Sequence, residues 1–131
     1  MRNWKEADLF EWLKAEYLPD LVMSNNQFSK WDCYSPEFRM RIELKCRRTH
    51  YSTLLIEKPK FDAVVGKATR HNDIPMYINS TPKGVFAFNL FEVNPVWEIN
   101  SKNPATTYWA NKTKVQKECA YLKLSEAKQI K

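Results

Sequence analysis

Apolar and polar residues alternate strictly from Phe38 to Arg47. Phe38, Met40, Ile42, Leu44 and Cys46 fall on one side and Arg39, Arg41, Glu43, Lys45 and Arg47 on the other. A period of two over this length predicts a strand with one apolar and one charged face. Upstream, Leu9, Trp12, Leu13 and Tyr17 recur at helical spacing over residues 4–18, and Pro19 closes the pattern, which predicts an amphipathic helix. Asp20 to Met23 reads as a short strand, Ser24-Asn25-Asn26 as a turn, and Phe28 to Tyr34 as a second strand ending at Ser35-Pro36. After a polar stretch, Pro59 suits the first turn of a helix running to about Asn72. Phe61, Val64, Val65 and Ala68 would face inward there, and Lys60, Lys67 and Arg70 outward. Ile74 to Asn79 and Val85 to Glu92 are predicted strands around Thr81-Pro82-Lys83-Gly84, and a further strand is expected from Asn94-Pro95 through Ile99. Residues 101–111 read as a loop, and Val115 to Leu124 fits a strand or a helix equally. The order α-β-β-β-α-β with extra C-terminal strands predicts an α/β fold, one mixed domain over 1–131 around a single central sheet.

The chain has 131 residues, 44% of them hydrophobic and 27% charged, enough to bury a core without disulfides or a structural metal. Its two glycines are too few for a phosphate cradle, so P-loop and dinucleotide-binding chemistry is excluded and no nucleotide cofactor is expected. Gly66 is expected to let its helix pack closely, and Gly84 to serve a turn. Cys33, Cys46 and Cys119 form no C-x-x-C pair, and Cys46 with His50 alone supplies too few ligands for zinc. Cys33 and Cys46 follow Asp32 and Lys45 directly and so point to the opposite, buried face as small core residues. The odd cysteine count, the lack of a long apolar run and an N-terminus without a secretory apolar region lead to the expectation of a cytoplasmic protein with reduced thiols and no membrane association.

The net charge of +6 is concentrated in the middle of the chain. Residues 39–83 carry ten Lys or Arg against four Asp or Glu, interleaved with His50, Tyr51 and Phe61. Such a segment favours a polyanionic partner, because neutralised phosphates release counterions. Within the same segment Glu43 and Lys45 share the charged face, and Asp32 precedes them on the neighbouring strand. A two-residue loop at Pro36-Glu37 would set Asp32 opposite Arg41 and diagonal to Glu43; a four-residue loop would set it directly opposite Glu43. Either register converges Asp32, Glu43 and Lys45 on one face. Two carboxylates beside a lysine form a hard-oxygen site suited to Mg²⁺, which takes one or two carboxylates plus phosphate oxygens. The competing structural reading is a solvated ion-pair ladder of Arg39, Arg41, Glu43 and Lys45.

Asp32 followed by Glu43-Leu44-Lys45 resembles the D…(D/E)-x-K signature of the PD-(D/E)XK nucleases, whose restriction-endonuclease-like fold has an α-β-β-β-α-β core. Within that superfamily the chain is most similar to the small archaeal-type and phage Holliday junction resolvases. The resemblance covers roughly residues 4–92 and leaves 93–131 as an unmatched extension. Lys30-Trp31 stands where the family often has serine or proline before the aspartate, and no glutamine on the second helix marks a RecB-like exonuclease. Glu126-Ala127-Lys128 also fits the tripeptide but has no upstream aspartate at hairpin distance.

The resemblance implies a Mg²⁺-dependent endodeoxyribonuclease, with Mn²⁺ able to substitute, acting on branched or otherwise structured DNA as a homodimer. Asp32 and Glu43 would be metal ligands with the Leu44 carbonyl as a third, and Lys45 the catalytic lysine. Glu6 would be the added acidic residue, with Glu11 its rival. Arg47, Arg48, His50, Lys58, Lys60 and Lys83 are candidates for backbone phosphate contacts. A phage-encoded enzyme acting in the host cytoplasm is one form of this expectation. Two other readings stand beside it. One is a non-catalytic nucleic-acid-binding protein using the basic 39–83 face; the other is an interaction protein whose aromatic C-terminal third, including Trp97, Tyr108, Trp109 and Tyr121, packs on a partner.

Overall fold

A computed structural model describes residues 3–24, 31–100 and 117–131. The first helix, α1 (Glu6–Glu16), buries Leu9 and Leu13 one turn apart, and the Asp8 carboxylate accepts the Lys5 N–H at 2.9 Å to satisfy its first turn. Past Pro19 the chain forms β1 (Val22–Met23), then β2 (Asp32–Ser35) and β3 (Met40–Cys46), all antiparallel. The four residues between β2 and β3 are held from outside the hairpin. Asp20 accepts the Ser35 hydroxyl and the Glu37 N–H, both at 2.7 Å, and Arg39 takes a left-handed φ of 55°. These two bonds hold the Asp20 carboxyl below the usual carboxylate range.

Two further segments, β4 (Thr53–Glu57) and α2 (Lys58–His71), carry the chain across to β5 (Ile74–Thr81), which pairs parallel with β3. α2 ends where Asn72 turns left-handed at φ 58°. β6 (Gly84–Asn89) returns antiparallel to β5. Gly84 has φ +146°, and a Cβ there would come within 2.2 Å of the Lys131 carbonyl oxygen. The chain continues through β7 (Glu98–Asn100) and β8 (Lys117–Lys123) to β9 (Lys128–Gln129) on the edge of β6.

The mixed central sheet thus runs β1-β2-β3-β5-β6-β9. Alternation along β3 and β5 sends Ile42, Leu44 and Ile78 to one face, where they pack with Leu9 and Leu13 of α1. Tyr77 goes to the other face, into a second cluster with Val64 of α2, Leu54 and Ile56 of β4, and Leu122 of β8.

Several expectations are corrected. The single sheet is two sheets, because β4, β8 and β7 form a three-stranded sheet of their own over the α2 side. β4 was hidden inside the polar stretch before Pro59; Leu54 and Ile56 are buried in it, while Thr53 and Glu57 are only half-buried. Val115 to Leu124 resolves as strand from Lys117, and the strand expected from Asn94 begins only at Glu98. β6 stops at Asn89 rather than Glu92. A Cβ at Gly66 would meet only the Arg70 Nη1 at 3.5 Å, so that glycine does not serve close packing. The expected turn at 25–26, the strand start at 28–30 and the loop at 101–111 lie outside the described residues.

Candidate functional site

The hairpin takes the four-residue loop, and Asp32 stands directly opposite Glu43. Trp31 O accepts the Leu44 N–H at 3.0 Å, so Trp31–Leu44 is a hydrogen-bonded pair. Asp32–Glu43, next on the ladder, is therefore a non-hydrogen-bonded pair, the geometry in which facing side chains come closest, with Cα atoms about 4.5 Å apart. Each residue is only 4% exposed. The charged face of β3 is not an open surface ladder: α2, on its way from β4 to β5, packs against it, leaving Glu43 buried and Arg41 and Lys45 half-buried.

α2 also brings a residue that the sequence placed outward. Lys67 extends its Nζ to 4.0 Å from the Asp32 carboxylate, with its side chain 32% exposed. Lys45, half-buried, lies on the same face of β3 two residues beyond Glu43. Two lysines from different elements thus attend two facing carboxylates. In register with them on β5 are Tyr77, beside Glu43, and Asn79, beside Lys45. Burial pushes the Tyr77 hydroxyl up to about 12, so it is a neutral donor. Asn79 is wholly buried, and its Nδ2 has no hydrogen-bond partner among the described residues.

Glu6 reaches the site's border. It opens α1 half-buried, and its Oε2 accepts the N–H of Cys46, the residue after Lys45, at 2.8 Å. Glu11 is exposed further along the helix. Among the described residues no three His, Cys, Asp or Glu side chains converge as a metal cage. Leu44 lies between the two charged residues with its side chain buried on the α1 face. Burial, with the Asp32 and Glu43 charges, pushes the Cys33 thiol far up, and burial with Glu6 pushes Cys46 up to about 12.

The basic candidates divide. Arg47 is turned inward: its guanidinium donates to Asn79 Oδ1 at 3.1 Å, to the Tyr77 hydroxyl at 3.0 Å and to the Leu55 carbonyl, tying the end of β3 to β5 and β4. Lys58 pairs with Asp62 at 2.9 Å and lies 5.5 Å over the Trp97 ring. Arg39 and Arg41, counted in the basic segment, are held by the buried Asp73 at 3.6 and 3.0 Å. Arg48 is exposed on the loop after β3, Lys60 is half-buried on α2, and Lys83 is exposed in the β5–β6 turn. His50 bonds Thr81 Oγ1 through Nδ1 at 2.8 Å and shares with Lys83 and Phe86 the lining of an open cavity of about 580 Å³. Glu126 of the second E-x-K tripeptide is engaged elsewhere, accepting the Asn94 N–H at 3.2 Å.

Sequence reasoning missed Lys67, Tyr77 and Asn79. For the last two a signal existed: they alternate with Met76 and Ile78, so they had to share the face of Glu43 and Lys45 once β5 paired parallel with β3. For Lys67 none did, because helical periodicity marks the apolar stripe and does not say that a charged sheet face lies beside it.

Among solved structures, the chain is similar to that of Hjc, a Holliday junction resolvase from the archaeal hyperthermophile Archaeoglobus fulgidus. The TM-score is 0.61 over 95% of this chain and 88% of that one, at 11% sequence identity. At that identity the likeness is one of fold, and the chain has the restriction-endonuclease-like fold expected from its sequence. No protein-family model matches the chain, and no curated protein matches it in sequence. No helix among the described residues is long and apolar enough to cross a membrane.

Proposed function

We propose that this chain is a divalent-metal-dependent endodeoxyribonuclease that cuts phosphodiester bonds in branched DNA. The observation that carries the reading is the Asp32–Glu43 pair: two carboxylates facing each other nearly out of water, with Lys45 beside them, in a fold similar to that of a Holliday junction resolvase. Like charges directly opposite weaken a sheet, so a purely structural ladder does not favour this pairing.

The donor set fits Mg²⁺, which binds hard oxygens and keeps coordination positions for water and substrate phosphate. Asp32 and Glu43 would hold it, with the Leu44 carbonyl as a third donor. When bound, the ion would supply charge stabilisation for a phosphodiester under in-line attack by water. Lys45 orients the attacking water and offsets the negative charge that grows on the phosphoryl oxygens as the water oxygen bonds phosphorus and the ester P–O bond breaks; the water loses a proton to solvent and the leaving oxygen takes one up from it. Glu6 fixes the backbone at Cys46 and so holds the Lys45 end of β3 in place. Tyr77 and Asn79 are neutral neighbours of this face: Tyr77 keeps its hydroxyl proton at working pH, so neither adds charge to the site. A four-way junction needs two symmetric cuts and each chain offers one such site, so the working form is a homodimer.

Incubation with a synthetic four-way junction and with supercoiled plasmid, in Mg²⁺ or Mn²⁺ and then in EDTA, tests the proposal. Metal-dependent cleavage lost in Lys45→Ala and Glu43→Ala is the expected result. If the wild-type protein binds DNA in a salt-sensitive, metal-independent way and does not cut, the non-catalytic binding reading replaces this one.

A further inference from the structure

The six residues joining β3 to β4 are Arg47-Arg48-Thr49-His50-Tyr51-Ser52, cationic and aromatic side chains on one short loop. The loop is pinned at both ends. Arg47 continues the ladder by donating its N–H to Ser80 O at 2.8 Å, and Ser52 O accepts the Leu124 N–H at 3.1 Å. Between this loop and the second sheet lies a cavity of about 350 Å³, lined by Arg47, Tyr51, Thr53, Leu55 and Tyr121. Tyr121 faces Leu55 in register across β4 and β8. Tyr51 is 60% exposed and Tyr121 49%, although neither ring is needed by a core.

The position of this cavity matters more than its size. Arg47 lies two residues past Lys45, about 7 Å along the strand direction, so the cavity opens about one nucleotide's reach from the proposed scissile phosphate. Its chemistry is that of a stacking platform: two tyrosine rings, an aliphatic wall at Leu55, and the guanidinium plane of Arg47 held fixed by Tyr77, Asn79 and Leu55. Arg48, exposed on the same loop, supplies positive charge for the backbone that leads a base in. Duplex bases are already stacked on one another and cannot enter such a pocket; an unpaired base can.

We infer that the Tyr51–Tyr121 cavity is a nucleobase subsite, which accepts an unpaired base next to the phosphodiester that Asp32, Glu43 and Lys45 address. The inference rests on the nuclease reading for its placement and deepens it. The substrate it implies is DNA with splayed nucleotides at the cut, as at a branch point or flap, rather than uninterrupted duplex.

The test is binding in EDTA, where cleavage is off. A single-stranded oligonucleotide carrying 2-aminopurine and a fully paired duplex of the same length are titrated against wild type, Tyr51→Ala, Tyr121→Ala and Tyr121→Phe, all checked for native melting. The expected result is quenching of 2-aminopurine by the wild type and single-strand affinity about tenfold weaker in each alanine variant, the loss of one stacked base. Tyr121→Phe, which keeps the ring, retains the affinity, and duplex binding changes in none of them. Equal losses for single strand and duplex, no loss in either alanine variant, or no quenching by the wild type would overturn the subsite. A protein that cuts junctions but gives any of those results loses the subsite and keeps the nuclease reading. One that quenches as expected and never cuts does the reverse.

Discussion

Two neighbouring rungs on one face of the β2–β3 hairpin follow opposite rules. On the Tyr34–Arg41 rung the Arg41 guanidinium lies 4.0 Å above the Tyr34 ring and pairs with the buried Asp73 at 3.0 Å. Cation meets aromatic face and carboxylate, and every charge has a complement at hand. On the Asp32–Glu43 rung, two carboxylates meet instead. Backbone, twist and covering helix are common to both, so the difference lies in the side chains alone. The first rung is built to hold the hairpin to α2 and β5; the second gives up cross-strand complementarity and concentrates two carboxylates on one face.

The comparison breaks most visibly in activity. Lys45→Ala or Glu43→Gln should slow junction cleavage at least about 100-fold, the scale of a lost proton-transfer or charge-stabilising group. Glu43→Gln should nonetheless melt no lower than wild type, since it relieves a like-charge contact; a large drop in melting temperature would mean that Glu43 is structural. The opposite pattern is expected on the other rung. Arg41→Ala strands the Asp73 carboxylate, whose side chain is 1% exposed, and should cost about 3 kcal/mol in urea denaturation. A loss below about 1 kcal/mol would show that Arg39 carries the pair by itself.

A finer test lies at the boundary between the rungs and the helix. Lys67 sits 4.0 Å from Asp32 and competes with any cation bound there, so Lys67→Met should tighten Mg²⁺ or Mn²⁺ binding by several-fold in calorimetric titration. Unchanged affinity would remove Lys67 from the site. The smallest effect concerns the loop that sets the register. Asp20 has a lowered pKa, so its contribution to stability is present above the ordinary carboxylate pKa and disappears as pH falls through the lowered one. Asp20→Asn should therefore flatten the acid limb of a melting-temperature profile below the ordinary carboxylate pKa. A wild-type limb retained by the variant would place the acid sensitivity elsewhere.

Much of this was legible in the chain itself. The strict alternation around Glu43-Leu44-Lys45 marks the strand and its two faces, and with Asp32 the candidate trio. The alternation admits two registers because the residue that decides between them, Asp20, lies outside the hairpin and acts through Ser35 and Glu37. β4 escaped notice because five residues between a polar loop and a helix leave too short a stretch for a period to declare itself. Charge counting makes the basic segment one surface, yet Arg41 and Arg47 turn inward and the exposed Arg39 is engaged by Asp73, because composition cannot see the carboxylate or carbonyl that each will meet. Exposed on the loops after β3 and β5 are Arg48 and Lys83, with the exposed Tyr51 between them in the chain.

The two-sheet arrangement also orders events in time. Asp32 and Glu43 are brought together by closing a turn of eleven residues (43 minus 32), whereas the pairing of Leu54 with Leu122 must close 68 (122 minus 54). The longer closure costs about 1.6 kcal/mol more in chain entropy. The hairpin with the carboxylates is therefore an early product of folding and the second sheet a late one. In pulse-labelling hydrogen exchange, amides of β3 should gain protection before those of β8; the reverse order would contradict this. On that schedule the carboxylate rung forms first, and the wall that carries Tyr121 closes beside it afterwards.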